Sequence, residues 1–309
     1  MRNERHIRLL SFALSVTLLL SCTHKELCYD HSHIIETDVV FDWSNAPGAS
    51  PKSMNLYLFP KSGERPIRHD FVGHEGGRIR LNSGTYDIIC LNSDTENIDV
   101  LDGSQSDSLR ITTKNPNLSA MGYMRSAPRT GGERLSDSPE KVWSSYAADV
   151  AIEQTGTVVT LYPKPNTISC TVTIRNVENL KWVESIYGTL SGMSDGYFPQ
   201  REQLCEMLST IAFGCTCNPE EKTITGALSS FGHCPSTSNK HKLTIYVTLA
   251  DGSSWEYDFD VIEQIHESPT PHDITVILDD IPIPKPVMNN GGFQPSVDEW
   301  DDIAIDINM

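Results

Sequence analysis

Apolar and polar residues alternate with a period of two along most of this chain. Ile35, Thr37, Val39, Phe41 and Trp43 interleave with Glu36, Asp38 and Asp42, the pattern of a strand with one face buried. Similar short runs at 54–59, 66–72, 77–81, 109–113 and 148–153 are separated by Gly, Pro, Asn and Ser clusters, which mark turns. Gly84-Thr-Tyr-Asp-Ile-Ile-Cys-Leu-Asn92 is nearly continuously apolar and predicts a central strand covered on both faces. Residues 115–145 show no period and predict a long excursion. A second set of strands is expected at 158–162, 168–177, 183–190, 210–217, 223–229 and 273–278. Residues 243–249 and 255–261 predict a hairpin around Asp251-Gly252, a two-residue turn signal. Residues 200–208 are one of few helical candidates. Many short strands at this spacing predict an all-β protein of sandwich type, with domains at 34–162 and 163–281 and a boundary near Tyr162.

The tail has its own pattern. Ile281-Pro-Ile-Pro-Lys-Pro286 resists pairing because proline has no N–H to give. The stretch 282–309 reads as a Pro/Gly linker that delivers a last strand, with Ile303, Ile305 and Ile307 on one side and Asp302, Ala304 and Asp306 on the other. Such a strand can complete its own sheet or the exposed edge of another molecule.

The N-terminus is a greasy run of roughly 12 residues, shorter than the ~20 that span a bilayer. Arg2, Arg5 and Arg8 precede it, which makes residues 1–21 an export signal. It ends in Leu18-Leu-Leu-Ser-Cys22, which resembles the bacterial lipobox. The resemblance implies cleavage before Cys22, lipidation of its thiol and a membrane-lipid partner. Residues 22–33 would then be a tether. Stable anchoring takes more than one acyl chain, and a triacylated Cys22 supplies it.

Composition changes this picture little. The chain of 309 residues carries 24 Lys+Arg against 41 Asp+Glu. That acidity disfavours nucleic acid and anionic membrane faces, both of which want basic patches. With Cys22 lipidated, seven of the eight cysteines remain. Cys90 and Cys170 lie in apolar runs and read as small buried hydrophobes; Cys205, Cys215, Cys217 and Cys234 are candidates for pairing, with no pair assigned. Cys28-x-x-His31-x-His33 offers zinc-type ligands but lacks an evident fourth, so a solvated tether is the better reading, and no metal or cofactor is expected. Searches for nucleophile elbows, zinc-protease helices, phosphate loops and dinucleotide fingerprints find none, and no enzyme activity is expected. Tyr123, Trp143, Tyr146 and Tyr197 lie in or near the long loops. Exposed, they could stack on a sugar; buried, they plug loops onto the sandwich.

Several segments together resemble a family of fimbrillin-like bacterial surface lipoproteins related to type V pilus subunits. They are the lipobox, Cys28-Tyr-Asp-His31, Val39-Val-Phe-Asp-Trp43, Gly84 to Asn92, Leu190-Ser-Gly-Met193, Phe231-Gly-His-Cys-Pro235 and Gly-Gly-Phe-Gln-Pro-Ser-Val-Asp-Glu-Trp300. The resemblance implies two tandem transthyretin-like, Greek-key β-sandwiches with an extended C-terminal strand. It implies an outer-membrane, surface-exposed location and a structural or adhesive fimbrial role, as pilus subunit, anchor or accessory protein. It also implies association with similar subunits by strand exchange, through Trp300, Ile303, Ile305 and Ile307, or insertion of that strand into its own second domain. Stalk members of that group lose their first strand to an arginine-specific protease. The first arginine here after Cys22 is Arg65, followed by Pro66, which hinders cleavage. The other reading is a monomeric surface lipoprotein that binds a carbohydrate or host ligand through its loops.

Overall fold

The structure is a computed structural model and describes residues 34–117, 130–153, 155–233 and 240–286. The protein is all-β. The first half supplies β1 (Ile34–Phe41), β2 (Ser53–Pro60), β3 (Ile67–Val72), β4 (Gly76–Asn82), β5 (Gly84–Asn92), β6 (Ile98–Leu101), β7 (Arg110–Thr113), β8 (Arg134–Asp137), β9 (Trp143–Ile152) and β10 (Thr157–Leu161). The second supplies β11 (Lys164–Pro165), β12 (Ile168–Arg175), β13 (Val183–Ser194), β14 (Gly196–Phe198), β15 (Gln203–Leu204), β16 (Leu208–Asn218), β17 (Thr223–Ser230), β18 (Lys242–Leu249), β19 (Ser254–Asp260) and β20 (Asp273–Asp279). One short helix, α1 (Ile262–His266), precedes β20.

The first half is built in layers. Sheet β10-β1-β4 faces sheet β11-β9-β5-β2-β3, and Val39, Phe41, Leu56, Leu58, Ile88 and Leu161 fill the space between. On the outer side of the first sheet, Glu36 and Asp38 of β1 pair with Arg80 and Arg78 of β4, so the alternation seen in the sequence places salt bridges on water and aliphatics in the core. A small sheet, β15-β14-β7-β6, covers the far face of β5. Tyr86, Ile88 and Cys90 of β5 point into one core, and Ile89 and Leu91 into others. Burial on both faces is why that segment reads as an unbroken apolar run.

The second half is a run of strands in the order β19-β18-β13-β16-β17-β12-β20, with β8 added on β16. Strand β16 turns the corner. Its first part pairs with β13 and its last residues, from Cys215, pair with β17, the bend by which one strand serves two packed sheets. The Phe213 ring fills that corner. A Cβ on Gly188 of β13 or Gly226 of β17 would come within 2.4 or 2.6 Å of it, so both neighbours must lack a side chain. In each half, the first long strand lies between an antiparallel and a parallel neighbour, and the parallel one is the last long strand. Strand β1 pairs with β4 and β10, and β12 pairs with β17 and β20. The halves thus share a topology without sharing a sequence.

They also exchange strands. Strand β8, from the excursion before Tyr162, pairs in parallel with β16. Strand β11, after Tyr162, pairs back on β9, and β14 pairs with β7. Tyr197 and Phe231 pack with Leu91, Ile111 and Val142 in a core that belongs to both halves.

Three local expectations need correction. Residues 200–208 form turns and β15, not a helix; Glu202 sits at φ 52, and pairing with β14 outweighs helix propensity. The excursion at 115–145 contains β8, a strand of four residues and too short to show a period. The β18–β19 turn is wider than two residues: Leu249 N–H donates to the Ser253 carbonyl and Gly252 N–H to the Leu249 carbonyl. Asp251 accepts from both the backbone and the hydroxyl of Ser253, which closes the loop.

Candidate functional site

Cys22, the tether with Cys28, His31 and His33, Tyr123, and the tail residues Trp300, Ile303, Ile305 and Ile307 lie outside the described residues. The other three aromatics are not brought together. Trp143 and Tyr146 project to opposite faces of β9, as residues three apart on a strand must. Trp143 is half-buried and meets Trp43 edge to face, centroids 6.2 Å apart. Tyr146 is half-buried over Phe59, Ile89 and Leu109, and its hydroxyl accepts from Gln200. Tyr197 is buried in the shared core, and that burial pushes its hydroxyl pKa up to about 12. An open groove between the halves is lined by Asn97, Asp137, Ser138, Phe213, Gly214 and Ala227, among others; none of these aromatics lines it.

Cys90 and Cys170 are buried thiols, as their apolar runs suggested. Cys215 and Cys217, two apart on β16, face the core of the second half. Burial raises the pKa of Cys215 to about 12 and of Cys217 to about 11. These thiols stay protonated and are poor nucleophiles.

The densest chemistry on the described surface was missed in the sequence. His233, just after β17, His241, just before β18, and His266, the last residue of α1, converge at one end of the second half. One ring nitrogen from each lies within 4.8 Å of the other two. His241 anchors the group: it is 1% exposed, its Nδ1 is 3.1 Å from the Ser191 carbonyl, and its own carbonyl accepts from Val261 N–H. His241 Nε2 is 2.9 Å from His266 Nε2, and the His233 and His266 rings stack with centroids 4.8 Å apart. Partial loss of water around the packed rings foremost, with the neighbouring imidazoles adding to it, holds His233 and His241 below the ordinary histidine pKa, although the His233 side chain as a whole is exposed.

A bulge in β13 makes room for this. The register with β16 shifts between Leu190 and Met193, and Gly192 takes φ +80, where a Cβ would lie 2.3 Å from the Lys240 carbonyl and 2.8 Å from His241 Nδ1. Only glycine fits so close an approach in a left-handed bulge. The bulge also turns Ser191 so that its hydroxyl accepts from Lys242 N–H. Met193 then forms an isolated bridge with His233. Helix α1 is placed by Asp260, whose carboxylate accepts from Ile262 N–H. The helix N-cap itself is Val261, which makes no side-chain cap, so the sequence carries no strong start signal for α1. The histidines themselves, eight and twenty-five residues apart, carry none either.

The fold and its chemistry can now be set beside known proteins. The model of DUF5119, a domain of unknown function, matches residues 21–214. The chain belongs to the DUF5119 family. Comparison with curated proteins finds no match. Among solved structures, this DUF5119 chain is similar to a candidate adhesin from Bacteroides ovatus, with a TM-score of 0.59 and 18% identity over 82% of this chain and 95% of that one. It is also similar to the fimbrial anchor protein Mfa2 from Porphyromonas gingivalis, with a TM-score of 0.50 and 13% identity over 80% of this chain and 91% of that one. At these identities the likeness shows the fold alone: this chain shares the layered, all-β architecture of those two proteins.

Proposed function

We propose that this protein is a lipid-anchored outer-membrane surface protein with a structural, fimbrial role, of the anchor or accessory kind. The carrying observation is the seating of β1. It is the middle strand of its sheet, paired on both sides, with Val39 and Phe41 in the core. Arg65 lies beyond β2, whose Met54, Leu56 and Leu58 are fully buried. A cut there would detach two core strands, so the first strand stays in place and the chain stays joined to its anchor at Cys22. The fold likeness to the fimbrial anchor protein Mfa2 and to an adhesin candidate supports the same reading. Among the described residues, no helix is long and apolar enough to cross a membrane, so attachment in this reading rests on the lipid.

The tail completes the proposal. It leaves the second half extended, with Ile281 and Ile283 buried, the Pro282 carbonyl accepting from Tyr257 and the Ile283 carbonyl from Asn179. Among the described residues the second half's ladder runs from β19 to β20, which are its edges. In this reading Trp300, Ile303, Ile305 and Ile307 are donated to another subunit, with pairing on the chain's own second half as the alternative that deletion of the tail tests. The glycan-binding reading has less support, since Tyr197 is buried and Trp143 is covered by Trp43. Metabolic labelling with palmitate tests the anchor: label enters the protein, and Cys22→Ser abolishes both the label and membrane retention. Unlabelled protein that remains at the membrane would sink it.

A further inference from the structure

We infer that His233, His241 and His266 form a binding site for a divalent transition-metal ion of the zinc class, which ties three separate segments together at one end of the second half. The pincer is already shaped. His241 Nδ1–H donated to the Ser191 carbonyl leaves Nε2 as the lone-pair atom, the arrangement by which a backbone carbonyl orients a metal-binding imidazole. That lone pair points at His266 Nε2, 2.9 Å away. Two imidazoles on one tetrahedral zinc, each at ~2.0–2.1 Å, have their nitrogens about 3.3 Å apart, so seating the ion takes a separation of a few tenths of an ångström together with a turn of the His266 ring that makes both lone pairs converge on it. His233 is exposed, and a side-chain rotation brings its nitrogen into the third position. Water would fill a fourth, as in sites with three protein ligands.

The donor set decides the class. Three neutral imidazoles suit zinc and its neighbours in the first transition row, not calcium or magnesium, which take oxygen. Asp260 is an acid whose charge acts on His241, and its Oδ1 is taken by the α1 backbone. Without an ion, His241 and His266 can share only one proton between their facing nitrogens. A cation replaces that weak contact with a link from the segment after β17, through the β13 bulge, to α1.

The test is zinc titration of the purified full-length chain, stripped with chelator, followed calorimetrically and by thermal melting. The site predicts one zinc per chain and a melting point that rises with zinc. His266→Ala, at an exposed helix end where the fold is retained (checked by circular dichroism), should weaken binding by at least about tenfold, since loss of even a supporting contact costs a metal site ~10–100-fold. His233→Ala should do the same. The double variant His31→Ala/His33→Ala separates this site from the tether and should titrate like the unmodified chain. No zinc binding by the unmodified chain overturns the inference. So does binding that survives His266→Ala unchanged, or that is lost with the tether histidines alone.

Discussion

Asp87 shows how single residues stabilise the first half. It is buried in β5 and accepts from Lys61 at 2.9 Å, from the Ser106 hydroxyl and from Asp149 N–H. Burial alone would raise its pKa, but these donors outweigh it and hold the carboxyl below the ordinary carboxylate value. A carboxyl with a depressed folded-state pKa adds stability above its unfolded pKa of ~3.9 and loses it as pH falls through the folded value. Asp87→Asn should therefore lower unfolding free energy at neutral pH by about 1–3 kcal/mol and flatten the acid limb of the stability profile. Urea denaturation from pH 7 down to about 3 checks both. At this scale the sequence was informative wherever burial decided the residue, as with Cys90 and Cys170. It was silent where burial comes from a partner far along the chain, as for Trp143 against Trp43. It was silent too on His241, where a lysine on either side disguises a residue that is 1% exposed.

At the scale of elements, strand alternation located most of the ladder, because each strand buries one face and the pattern follows from that. Elements defined by pairing alone were invisible: β8, β11 and β15 are two to four residues long and exist through their neighbours. Edges are managed by side chains. Strand β20 ends its sheet, and Gln264 of α1 lies along it as a partner strand would, donating to the Ile277 carbonyl at 3.1 Å and accepting from Ile277 N–H at 2.7 Å. Ile277 itself is exposed, so an uncapped β20 is an edge that invites pairing with another chain. Gln264→Ala should cost about 1 kcal/mol, speed hydrogen exchange at the Ile277 amide and promote self-association on size-exclusion chromatography. Unchanged exchange at Ile277 would mean the glutamine does not guard the edge.

At the scale of the whole molecule, the two halves are joined by more than a linker. Strands β8, β11 and β14 cross between them, and Tyr197 and Phe231 close a shared core. The sequence revealed two β-rich halves but not this exchange, since the crossing strands carry no period. Interlocked halves should unfold together, so calorimetry of the full chain is expected to show one transition; two well-separated transitions would mean the crossing strands are marginal. The most direct test of the assembly account is deletion of residues 297–309. The account predicts laddered multimers in membrane preparations of the unmodified protein and their loss on deletion, with membrane attachment intact. A protein that is monomeric with or without those residues would contradict it.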